Sequence, residues 1–176
     1  MRSIPGSLAA AAAMLCVFTA GADESSAAAY ADKPFAPVTQ QDYETFMSCY
    51  GKFAASLDAV AAFGPNTTKP DSYKEIEESG RGMAAQFILP TVSMLNDPRY
   101  GLDLAAGEAA KGQGAAVFTS LATPQEQFEM FKTNGEFSQT CIDLVETLIT
   151  STQLNASIWK DAGVPSSFDP GPGEEE

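Results

Sequence analysis

The chain of 176 residues contains no histidine. That absence excludes Ser-His-Asp and Cys-His nucleophilic catalysis, imidazole acid–base work and most zinc, copper and haem sites. Cysteine is nearly absent too, with three in all and no C-x-x-C pair, so neither a dithiol redox motif nor covalent haem attachment is available. Basic residues number ten against twenty-three acidic ones, and no Lys/Arg cluster occurs anywhere. Nothing is therefore present to neutralise a run of phosphates, which argues against nucleic acid and anionic membrane surfaces as partners. The net charge of −13 reads first as a solvating surface. What remains chemically is carboxylate work, or oxygen-ligand calcium or magnesium.

Long apolar runs are also missing. The longest, Leu8 to Ala20, follows Arg2 and precedes Ala20-Gly21-Ala22, the small-x-small pattern of a signal-peptidase site. Thirteen helical residues span about 20 Å against a hydrocarbon core of about 30 Å, so residues 1–22 read as an export signal and not an anchor. Residues 83–95 are interrupted by Gln86, Pro90 and Ser93, so no membrane span is expected in the mature chain. A periplasmic or extracellular location follows. Residues 23–37 and 162–176 (the latter ending DPGPGEEE) read as a disordered linker and a disordered acidic tail, bracketing a domain over 38–161.

What is there is helical periodicity. Thr39 caps a first helix, Val38 and Tyr43 are spaced as a hydrophobic staple, and Tyr43, Phe46, Met47, Tyr50, Phe53, Leu57 and Val60 form one stripe ended by Gly64-Pro65. Pro70-Asp71-Ser72 opens a second helix, with Ser72 and Glu75 at capping-box spacing and Ile76 and Met83 as its buried face. Pro90 predicts a kink near Leu89, and Asn96-Asp97-Pro98 a turn. Residues 102–121 predict a helix loosened in its middle by Gly107, Gly112 and Gly114, small residues that also permit close approach of a neighbour. Thr123-Pro124-Gln125-Glu126 starts the next helix, Asn134-Gly135 interrupts it, and Cys141, Leu144, Val145 and Leu148 continue the stripe before a short turn at Ile158-Trp159. The fold class is all-α: a bundle of four to six helices.

After export only Cys49 and Cys141 remain, one on the first and one on the last long helix, and an oxidising compartment predicts a disulfide between them. No catalytic, cofactor or metal residue is assigned. The loop Asn96 to Glu108 fails as a calcium site, because Pro98 and Tyr100 fall where oxygen ligands belong. The sequons at Asn66 and Asn155 matter only in a host that glycosylates.

One motif points to catalysis. Residues 76–100, from Ile76-Glu77-Glu78-Ser79-Gly80-Arg81-Gly82 to Pro98-Arg99-Tyr100, resemble the catalytic-glutamate region of lytic murein transglycosylases, where a Glu-Ser pair opens a helical lysozyme-like site. The resemblance implies Glu78 as general acid. The chain departs from that pattern in the short interval from Glu78 to Gln86, in the extra residue between Gln86 and Pro90, and in lacking the later motifs. Glu75, Glu77 and Glu78 are equally what a helix N-terminus favours. The reading preferred from sequence is a non-catalytic binding protein for a partner protein or a small apolar ligand. The alternatives are a carboxylate-based glycan-cleaving enzyme using Glu78 and an envelope stress or chaperone-like factor.

Overall fold

The computed structural model describes residues 34–134 and 139–164. The expected export signal of 1–22, and most of the expected linker and acidic tail, lie outside the described residues. Within them the architecture is an all-α bundle, with helical rods joined by short turns and no strand. The rods are α1 (Gln40–Phe63), α2 (Pro70–Met83) running through a π turn (Ala84–Ile88) into α3 (Leu89–Leu95), α4 (Leu104–Thr119), α5 (Pro124–Asn134) and α6 (Gln139–Asp161). None is long and apolar enough to cross a membrane.

Helix α1 is the central rod. Its start is fixed as its sequence predicts, by Thr39 Oγ1 accepting the Asp42 amide at 3.1 Å. Buried residues recur on more than one face: Tyr43, Phe46 and Met47 toward α3, α4 and α6, and Ala55 and Ala59 toward α4 and α5. A stripe on one side would suit a peripheral helix; burial around most of the circumference suits one with neighbours on several sides.

Helix α4 is continuous, not loosened in its middle. Asp103 caps it by accepting the Ala105 and Ala106 amides. Its glycines are used for contact: a Cβ on Gly114 would sit 1.9 Å from the Ser48 carbonyl oxygen, and one on Gly51 of α1 would sit 1.9 Å from that of Lys111. The two backbones touch at this crossing. The helical penalty of each glycine, about 1 kcal/mol, is offset by packing that no larger residue permits. Gly112 meets nothing within 4 Å and has no such role.

The disturbance expected at Pro90 takes the form of the π turn just before it, in which the Leu89 amide reaches back to the Ala84 carbonyl. Widening the helix there accommodates the proline ring, which crowds the preceding turn of a regular helix. The turn also shifts the buried face, from Gly80 in α2 to Ile88, Thr91, Met94 and Leu95 beyond it. Ile76 and Met83, expected in the core, are therefore 42% and 52% exposed. Ser72 is not the cap of α2; Pro70 opens the helix and Ser72 lies inside its first turn.

Helix α5 starts with a reciprocal capping box, Thr123 Oγ1 accepting from the Glu126 amide and the Glu126 carboxylate from the Thr123 amide. Helix α6 runs unbroken through Ile158 and Trp159, so the separate final turn expected there is its last turns. Its end is a Schellman motif: Gly163 has φ +66°, and the Val164 amide donates to the Trp159 carbonyl. Cys49 and Cys141 are joined, their Cα atoms 5.9 Å apart, tying α1 to the first turn of α6.

Candidate functional site

An apolar groove runs between α1, α2 and α5. Phe53, Ser56 and Leu57 come from α1, Ser72, Glu75, Ile76, Ser79, Gly80 and Met83 from α2, and Phe131 from α5, around a volume of about 370 Å³. Its shape follows from one glycine. A Cβ on Gly80 would lie 2.6 Å from Leu57 Cδ2, so the leucine packs directly on the α2 backbone and forms the floor. Ile76 and Met83, a turn to either side of Gly80, are left standing as walls. Small-molecule sites are concave, mostly apolar and carry few polar groups, and this is the depression of that kind among those described. More open and more polar depressions of about 470 and 490 Å³ on the outer faces of α5 and α6 are edged by Glu126, Glu129 and Thr133, and by Asp143, Glu146 and Thr147.

The charges around the groove are sorted by side. Glu77 binds Arg81 at 2.9 Å, Arg81 also reaches Asp58 at 3.0 Å, and Lys74 lies 3.7 Å from Glu78. None of these groups lines the groove. Glu75 does, and it makes no hydrogen bond or ion pair within the described residues. The Ser56 hydroxyl donates to the Phe53 carbonyl at 2.7 Å and is thereby satisfied.

Glu78 is not brought to the groove. Its side chain is 66% exposed, beside Lys74 on open solvent. A general acid of glycan cleavage works inside a dry, apolar pocket, whereas Glu78 stands on an exposed helix face. No three Asp, Glu, Cys or His side chains converge into a metal-holding group among the described residues.

A second constellation was not legible as a unit. Asp97 and Arg99 form a two-pronged ion pair, with Nε to Oδ1 at 2.8 Å, and the guanidinium lies 3.6 Å over the Trp159 ring. Asn155, wholly buried, donates to the Tyr100 hydroxyl at 2.8 Å and to the Ala36 carbonyl at 3.0 Å, while its Oδ1 accepts the Ala36 amide at 2.9 Å. Both amide hydrogens are thus committed, and Asn155 is not open to a glycan in the folded chain; Asn66 is exposed. Ala36 was assigned to the linker, yet this pairing pins it across α6. The available signal was positional, because Leu148, Thr152, Asn155 and Trp159 fall on one helix face. The hub holds the 96–101 turn, the segment just before α1 and the end of α6 together, so its role is structural.

Burial pushes the phenols of Tyr43 and Tyr100 above the ordinary value of 10.0. Glu108 and Asp103 add repulsion at Tyr43, and the Asn155 hydrogen bond partly opposes the shift at Tyr100. The unfolded chain releases these protons first, near pH 10. Stability is therefore full below that pH and falls as pH rises through the higher folded values. Two phenols should remain protonated past pH 10 in an absorbance titration, and urea midpoints should drop there. A Tyr43→Phe/Tyr100→Phe variant should show a shallower alkaline loss; an equally steep one would place the cause elsewhere.

Compared with known proteins, the chain matches no family profile, no curated protein and no solved structure.

Proposed function

We propose that the protein is an exported, non-catalytic binding protein that holds a small apolar ligand in the α1–α2–α5 groove. The observation that carries this reading is the exposure of Ile76 and Met83 on either side of a floor made by Leu57 and Gly80. Apolar walls left half in water around a concavity lose solvent contact only when something enters. A protein partner needs roughly 800 Å² per side, more than five apolar side chains around one groove present. A small ligand is the better match. Export is supported by the Cys49–Cys141 link, which persists in oxidising compartments.

A neutral naphthylamine dye should brighten on binding, and the lone tryptophan cannot serve as reporter because Trp159 is buried against Arg99, away from the groove. Ile76→Gln/Met83→Gln should weaken dye binding by about tenfold or more, a loss of about 1.4 kcal/mol. Both positions are substantially exposed, so the melting temperature should barely move. Unchanged dye affinity in this variant overturns the assignment. So does native mass spectrometry that finds only bare polypeptide from the protein's own host while no dye binds.

A further inference from the structure

Resting on the groove as the ligand site, we infer that the ligand is a cationic amphiphile: one apolar chain bearing an amine or quaternary ammonium group, with the cation beside Glu75. Three observations converge. Glu75 is the sole charged side chain of the lining. Of the three glutamates of α2 it is the one without a partner among the described residues, since Glu77 is held by Arg81 and Glu78 by Lys74. The two cations of α2 that those pairs hold are absent from the lining, so no cationic side chain there would meet an anionic head.

The walls agree with the charge. Phe53 and Phe131 present aromatic rings to the groove, and ring faces attract ammonium groups more strongly as water is excluded. The chain's charge of −13 adds a long-range field of the same sign. That field acts on any cation at any surface site, so the local carboxylate has to be separated from it by experiment.

The experiment compares three decyl amphiphiles below their micelle concentrations, near neutral pH and about 0.15 M salt: decyltrimethylammonium, decyl glucoside and decanoate. Each is titrated against the bound neutral dye. The cation should bind most tightly, the glucoside next and decanoate last, with about tenfold or more between the ends. Glu75→Gln should bring the cation to within about twofold of the glucoside. Glu146→Gln, an equal charge change on the outer face of α6, should leave the order intact. Decanoate binding as tightly as the cation, or the two substitutions acting alike, overturns the inference. If the glucoside binds and the cation is not favoured, charge selection falls and the apolar site stands. If none of the three displaces the dye, both readings fall.

Discussion

Gly51→Ala should lower stability by about 3 kcal/mol or more, and Gly114→Ala by a similar amount. Each added methyl would lie 1.9 Å from a carbonyl oxygen of the facing helix, Lys111 in one case and Ser48 in the other. The obstacle is backbone and not the end of a side chain, so relief requires α1 and α4 to move apart along a buried seam. Overpacking of this kind typically costs 1–3 kcal/mol, and a contact with a rigid partner belongs at or beyond the top of that range. At about 2–4 °C per kcal/mol for a domain of this size, the melting temperature should fall by roughly 10 °C. Gly112→Ala supplies the control. With nothing within 4 Å, it should be neutral or gain up to about 1 kcal/mol from helix propensity. Equal effects at Gly51 and Gly112 would show that the crossing is looser than described.

Breaking the Cys49–Cys141 link carries the other large effect. The two cysteines are 92 residues apart. Closing a loop of that length removes unfolded-state entropy worth about 4.6 kcal/mol at 25 °C in the chain-entropy account. The folded side adds a local consequence. Before Leu148, helix α6 has no fully buried side chain, and its first turns rest on the cysteine and on half-buried Leu144 and Val145. Cys49→Ala/Cys141→Ala, or reduction, should therefore lower the melting temperature by about 10 °C or more. The amides of residues 139–147 should lose hydrogen-exchange protection before those of α1. Alkylation of either cysteine in denatured, unreduced protein would refute the link, and an unchanged melt would refute its energetic weight.

The resting point of each helix on its neighbours explains which expectations failed. The caps at Thr39 and Thr123 were legible because a cap is a contact across three residues. Helical class was legible because periodicity repeats within each rod. Ile76 and Met83 were assigned to the core on the same periodicity, and that failed. The π turn at 84–88 and the close seat of Leu57 on Gly80 determine which side of α2 is covered. No spacing within α2 contains that information. Gly107, Gly112 and Gly114 look alike in sequence, yet a Cβ on Gly107 would meet the Tyr43 ring, one on Gly114 the α1 backbone, and one on Gly112 only open space.

The sequence by itself determined the class of the fold, the capped starts of α1 and α5, the pair of cysteines, the sign of the charge and the chemistries closed off by the lack of histidine. These are properties of composition and of neighbours within a few residues along the chain. Only the tertiary structure decided that α1 is the central rod, that Asn155 is a buried latch for Ala36, that Glu78 faces open solvent, and that Glu75 stands unpaired in an apolar groove. Each depends on which helices meet and at what rotation. That is set by packing between residues distant in sequence, which local pattern does not encode.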